Sequence, residues 1–224
     1  SALFNVLGVY NYNQKGLRLD GLFEYLKKNA HSEGDYLEFG VFQGNSLLSV
    51  AHFLKSVGSK KKVIGFDSFS GFPKLHENDD INMFELMYES GKITGEHFKT
   101  IKDLKCILEF KNNPMLPDTI SSSGNFQNTS ADMIMEKANF LGLDNIKLIE
   151  GSFEDTLPHF FSNYDKPLSA VNIDCDLYLG YKSILMRLNE MDVRGDFYIH
   201  LDEYYSLKFP GPKIAVEEFL SDSN

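Results

Sequence analysis

Cysteine is scarce in this chain of 224 residues. Cys106 and Cys175 are the only two and form no C-x-x-C pair, so neither a disulfide framework nor a structural zinc site is signalled, and a reducing cytoplasm is the expected setting. Positive charge is also in short supply: 22 Lys and Arg against 32 Asp and Glu leave a formal net charge of −10. Phosphate backbones and anionic lipid repel such a surface on average, which argues against nucleic acid and membrane as partners. No run of about 18 uninterrupted apolar residues exists, so a membrane span is not expected. Asn, Gln, Lys, Arg and Asp are scattered through the first twenty residues, so a secretory leader is not expected either. Internal repeats and long low-complexity tracts are absent, and neither GxGxxG nor GxSxG occurs.

What is present is enough hydrophobic residue, 42%, for one α/β domain spanning 1–224 with a real core. Four short apolar runs, 36–39, 63–66, 170–173 and 197–201, end in small or acidic residues, and a fifth strand is expected at 146–149 after Gly142 stops a helix. Helical spacing marks 46–57, 131–141, 178–191 and 213–220. Strands alternating with helices of this length predict βαβ units, hence a mostly parallel twisted sheet with helices on both faces. The interval 74–129 breaks the rhythm, with the cluster Met83, Phe84, Leu86, Met87, Tyr88 and a loop-like Ser121-Ser122-Ser123-Gly124. A structureless loop of that length is improbable, so the expectation is an inserted helical lid over the strand ends, the plainer reading being a surface insertion. The 19 Phe then read as core and lid packing rather than as a base-stacking platform.

The first strand runs into Glu38-Phe39-Gly40-Val41-Phe42-Gln43-Gly44-Asn45-Ser46. Glycines at 40 and 44 let the chain turn sharply and approach a ligand, while Asn45 or Ser46 can cap the helix that follows. The second strand ends at Asp67, 23 residues beyond Gly44, where a Rossmann-like fold holds the two hydroxyls of a ribose. Together they imply an adenosine-containing cofactor; the alternative for Asp67 is a helix cap or turn residue. At the other end of the sheet, Asp174 and Asp176 alternate onto one side if the strand persists, and Asp202 and Glu203 return to the same edge 28 residues later. At about 4 Å each like-charge pair costs roughly 4 kcal/mol at an effective dielectric near 20, so such a cluster needs a cation or a proton. Oxygen-only ligands select a hard cation such as Mg2+; ordinary helix caps and exposed turn acids are the alternative.

Three stretches carry a resemblance: 37–46, then Phe66-Asp67-Ser68-Phe69-Ser70-Gly71-Phe72-Pro73, and Gly151-Ser152-Phe153-Glu154-Asp155-Thr156-Leu157-Pro158. With the acidic strand ends they resemble, in order, the macrocin O-methyltransferase family of S-adenosylmethionine-dependent enzymes, from about Asp35 to Leu220 apart from the insertion. The resemblance implies a Rossmann-like methyltransferase that methylates a sugar hydroxyl of a glycosylated natural product or surface polysaccharide. By it, Glu38, Gly40 and Gly44 shape the pocket for the methionine end of the donor and Ser46 contacts its carboxylate. Asp67 holds the ribose with Ser68 beside it, and Gly151, Ser152 and Phe153 lie against the adenine; Asp155 reads equally as a surface or capping residue. Asp174, Asp202 and Glu203 match the family's metal ligands, with Glu203 in place of the usual Asp, one methylene longer. The implied reaction is an in-line displacement in which a divalent ion lowers the pKa of a bound hydroxyl and directs it.

The proton acceptor is less determined by pattern. Asp174 and Asp176 are the catalytic candidates, Asp176 as base or sugar contact; His200 is a base or a core histidine, and Tyr178 faces the cofactor or opens its helix. Cys175, between two acids, is a poor nucleophile. The chain departs from the family at Leu179-Gly180-Tyr181, where Glu and Ser or Thr are usual, and the sequence reaches Asn224 ahead of the family's terminal strand pair, so either more chain follows or the sheet is completed differently, and that tail's dimer contacts are not carried over. A homo-oligomer stays open, as do a nicotinamide-dependent oxidoreductase, which the Glu38-x-Gly40-x-x-x-Gly44 spacing disfavours, and a non-catalytic module that binds S-adenosylmethionine.

Overall fold

The computed structural model describes residues 2–16, 18–112, 126–191 and 195–222. Each apolar run is a strand, to within a residue or two of the expected limits: β1 (Asp35–Phe39), β2 (Val63–Asp67), β3 (Ile146–Glu150), β4 (Leu168–Ile173) and β5 (Tyr198–Leu201). All pairings are parallel, in the order β3-β2-β1-β4-β5. The chain builds outward from β1 through β2 and β3, then returns to lay β4 on the other side of β1. Strand order therefore reverses between β1 and β4, and at such a switch point the carboxyl ends of the two strands diverge into a crevice.

β1 and β4 are buried along their whole lengths, which is why they read as continuous apolar runs rather than alternating ones. On one face Tyr36, Val63 and Ala170 share a core with α2 (Asp20–Asn29), α3 (Asn45–Ser56) and α6 (Ala131–Phe140). On the other, Phe39 and Phe66 stack at 4.8 Å and meet Phe153 and Phe160 of α7 (Phe153–Asn163) edge-on. Leu22, Phe23 and Leu26 of α2 are essentially inaccessible, each contributing about 1.5–3 kcal/mol by burial. This is a Rossmann-like α/β architecture.

The described residues form two compact units. The first comprises Ser1–Phe69, Asn128–Asp174 and Arg187–Asp202 and holds the entire sheet, together with α1 (Ala2–Leu7). The second comprises Ser70–Gln127, Cys175–Met186 and Glu203–Asn224. Helices do occupy the insertion, α4 (Met83–Glu89) and α5 (Gly95–Phe110), and they share this unit with most of α8 (Tyr178–Glu190) and with α9 (Gly211–Asp222). The loop-like 121–124 lies outside the described residues. Among the described residues no helix is long and apolar enough to cross a membrane.

In the second unit a buried carboxylate organises the helix ends. Asp79 accepts from Tyr178 N at 2.7 Å, covering one open donor at the start of α8, and from His76 N at 3.0 Å. Gly211 lies against this pair so closely that a Cβ there would fall 2.7 Å from Tyr178 N and nearer still to Asp79 Oδ1. Gly211→Ala is expected to cost about 1–3 kcal/mol, because backbone must move. Urea denaturation checks this against Gly95→Ala, where the new methyl meets only Tyr88 at 3.7 Å and no loss is expected.

Candidate active site

β1 leaves the sheet through a strained turn. Gly40 and Gly44 have φ of 89° and 81°, and Gly44 N closes the turn onto Val41 O at 2.9 Å. Gly44 is constrained twice, since a Cβ would also lie 3.1 Å from Ile134. Two aromatic residues share the left-handed conformation, Phe42 at φ 50° and Phe69 at 51°, which costs on the order of 1–3 kcal/mol each. The compensation comes from Asp67. Its Oδ2 accepts from Val41 N at 2.7 Å and Phe42 N at 2.8 Å, and its Oδ1 from Phe69 N at 2.7 Å. Hydrogen bonds to a charged acceptor contribute roughly 1.5–3 kcal/mol each, so three offset two strained residues. The carbonyls of the same turn are also held: Thr129 donates to Phe42 O, and Lys137 to Gln43 O at 2.9 Å.

Asp67 thus performs the turn role that its sequence position allowed. Its Oδ1 takes one of these three bonds, leaving acceptor capacity for a hydroxyl. Ser68 follows, half-buried. At the end of β3, Gly151 N donates to Asp67 O at 3.0 Å. Ser152 caps α7, accepting from Asp155 N at 3.2 Å and donating to Asp155 Oδ2 at 2.7 Å, and Phe153 packs edge-on against Phe39. Asp155 is therefore a capping residue.

Register places a polar row inside the sheet: Glu38 on β1, Asn172 on β4 and His200 on β5 are neighbours. Glu38 is fully buried. It accepts from Tyr36 Oη at 2.5 Å, Ser46 Oγ at 2.7 Å and Asn172 Nδ2 at 3.4 Å, tying β1 to the first turn of α3 and to β4. Burial pushes its pKa up to about 7, against the pull of the Tyr36 and Ser46 hydrogen bonds. The Ser46 proton, expected at the donor's carboxylate, is committed to Glu38, and Glu38 itself positions this turn from within the core.

Two residues further along the same strands, Asp174 N donates to Phe39 O at 2.8 Å and Asp202 N to Ile173 O at 3.1 Å, extending the ladder past the strand ends. Their carboxylates share one guanidinium. Arg18, ahead of α2, places Nη1 2.6 Å from Asp202 Oδ2 and Nη2 3.0 Å from Asp174 Oδ2. The Asp202 side chain is 0% exposed and the Arg18 side chain 52%. Asp202, expected as a metal ligand, is thus ion-paired to a residue that no spacing or motif singled out; a lone arginine ahead of a helix carries no pattern. His200 Nε2 stands 3.5 Å from Asp202 Oδ1, and burial lowers its pKa. A neutral imidazole is the consequence near neutral pH.

Asp176 does not continue the alternation. β4 ends at Ile173 and Asp176 is left-handed, with φ 60°, so the strand on which the alternation was conditional does not persist to it. In the second unit, Asp176 and Glu203 offer carboxylate oxygens within 4.8 Å of one another. Glu203 N donates to the hydroxyl of the buried Tyr181 at 3.2 Å. Tyr178 opens α8, its ring stacked on His76 and its hydroxyl donating to Glu218 at 2.5 Å.

No protein-family profile and no curated protein matches the sequence. Solved structures that share its fold include two methyltransferases. The O-methyltransferase NovP is 20% identical with a TM-score of 0.58, and CalS11, a calicheamicin methyltransferase, is 19% identical with a TM-score of 0.55. Each match covers 89% of this chain and 68% of the other. What these likenesses carry is the architecture.

The raised Glu38 pKa has a sign. A carboxyl whose pKa is higher in the folded state favours folding below its unfolded value, and that contribution is lost as pH rises through about 7. Relative to Glu38→Gln, wild-type stability should therefore fall by up to roughly 3 kcal/mol between about pH 4.5 and pH 8. Denaturant titrations of both chains across that range test it; parallel curves would show that Glu38 titrates normally.

Proposed function

We propose that the protein is an S-adenosylmethionine-dependent O-methyltransferase acting on a hydroxyl of a small-molecule acceptor, a sugar of a glycosylated natural product or polysaccharide being the class we assign. One observation carries the reading above the others: a glycine turn, pinned by the acid at the end of β2, opens the switch-point crevice at the carboxyl end of β1. In this reading the backbone of 40–44 admits the methionine end of the donor, Asp67 Oδ1 accepts from a ribose hydroxyl beside Ser68, and Gly151, Ser152 and Phe153 border the adenine. The likeness to two O-methyltransferase folds and the resemblance to the macrocin family support it.

Bound there, the sulfonium donor supplies an electrophilic methyl group, so that a carbon–oxygen bond forms as the carbon–sulfur bond breaks. The chain's own work is to orient the acceptor oxygen and take its proton. We assign proton acceptance to Asp176, whose left-handed backbone turns the chain out of the sheet, and orientation of the acceptor to Asp174. The enlarged 74–129 insertion is assigned to binding a bulky acceptor. A divalent cation, if bound by Asp174 and Asp202, would supply Lewis-acid activation of the hydroxyl.

Calorimetry with S-adenosylhomocysteine tests the cofactor reading. Wild type should bind it and bind no NADH, and Asp67→Ala should weaken binding at least about tenfold, some 1.4 kcal/mol. Undiminished affinity in Asp67→Ala removes the ribose assignment, and NADH binding instead revives the oxidoreductase reading. Transfer of a radiolabelled methyl group to a glycoside panel, suppressed in Asp176→Asn, tests the reaction itself.

A further inference from the structure

We propose that Arg18 is a built-in competitor of divalent cations for the Asp174–Asp202 pair, so that these carboxylates hold either its guanidinium or a metal ion, never both. The inference rests on the metal-assisted reading above.

The geometry is that of one cation serving two acids. Both contacts fall on Oδ2 atoms, 2.6 Å to Asp202 and 3.0 Å to Asp174, from separate nitrogens of one planar fork. An ion bridging the pair through these oxygens needs the places that the guanidinium nitrogens hold. The burial is asymmetric in a way that favours exchange. Arg18 is half in water, so its release carries little desolvation in reverse, whereas the Asp202 side chain is wholly inaccessible. A buried carboxylate stripped of its partner costs about 3–5 kcal/mol, so Arg18 departs only as another cation arrives.

The chain around Arg18 permits such a swing. Upstream it is moored to α3, where Tyr10 N donates to Ser49 Oγ at 2.7 Å and Tyr12 Oη meets His52 Nδ1 at 2.9 Å. Downstream it enters α2 at Asp20, whose Oδ2 accepts from Gly16 N at 2.6 Å. These moorings hold the backbone on both sides, so the exchange is chiefly a movement of the Arg18 side chain. Arg18 is thereby a positioning residue: it sets whether Asp174 and Asp202 are available to a metal.

The test uses Mn2+ as the probe and the full chain, with binding read by electron paramagnetic resonance. Arg18→Gln removes the charge and keeps a polar, though shorter, side chain, and it should bind Mn2+ at least about tenfold more tightly than wild type. A merely structural role predicts the opposite sign. Equal or weaker affinity in Arg18→Gln overturns the competition and leaves the metal reading standing, provided wild type binds Mn2+. If no chain binds Mn2+, the metal reading falls and the competition with it. Should Arg18→Gln fail to fold, wild type decides alone: the NMR signal of the Arg18 side-chain Nε–H should move to the position of a solvated guanidinium on saturation with diamagnetic Mg2+, and an unmoved signal with the ion bound overturns the proposal.

Discussion

The carboxylate of Asp67 is the interaction on which the carboxyl end of the sheet depends. β1 and β2 end side by side, and each must leave the sheet through a left-handed aromatic residue, Phe42 or Phe69, a conformation that costs such residues free energy. An ionised carboxylate has only acceptors to offer, on two oxygens, and here it takes the amides of both strained residues and of Val41. Asn would present one acceptor oxygen and a pair of donors, so it could hold one turn but not both. Because Phe42 is fixed, Gly44 is placed as the left-handed residue before α3, and that helix begins with its first amides uncapped by any side chain. The strain, the turn and the helix start are consequences of one acid at the end of one strand.

Strand periodicity then explains why the buried and the chemical polar groups sit as they do. Residues two apart point to the same face, so Glu38, Asn172 and His200 form one row across β1, β4 and β5, and Gly40, Asp174 and Asp202 form the next. The inner row is sealed: Tyr36, Ser46 and Asn172 all donate to Glu38, an arrangement that favours its carboxylate while the missing water disfavours it. The balance is a group that titrates near neutrality without reaching solvent. The outer row lies past the strand ends, where Arg18 enters; Asp174 regains some exposure there while Asp202 stays wholly inaccessible.

The sheet was readable because its strands are short, apolar and wholly buried, and because α3, α6, α8 and α9 have strong spacing. Elements were missed where local rules conflict. α7, absent from the segments with helical spacing, contains Pro158, which removes the bond to Glu154 O. α2 has Gly21 in its first turn and no side-chain cap, so it lacked a start signal, and burial of its apolar face forms it. At the site, the acids were legible as residues that strand ends deliver, and Asp67 was legible as ribose ligand or turn residue. What pattern could not carry is long-range pairing: Arg18 is separated from Asp174 by 156 positions, and nothing in the spacing of either residue names the other.

The four acids that spacing collects in one place are sorted by the chain's path. Asp174 and Asp202 each close a segment of the sheet unit, and the next residue in both cases opens a segment of the other, carrying Asp176 and Glu203 with it. The first pair shares a guanidinium that gives each carboxylate its own nitrogen. Spreading one positive charge over a plane in this way lets it pair with two acids at once, where a compact lysine ammonium would favour one. Because the wholly inaccessible Asp202 and its neighbour Asp174 both take their cation from Arg18, the N-terminal segment that carries this arginine is part of the electrostatics of the sheet edge.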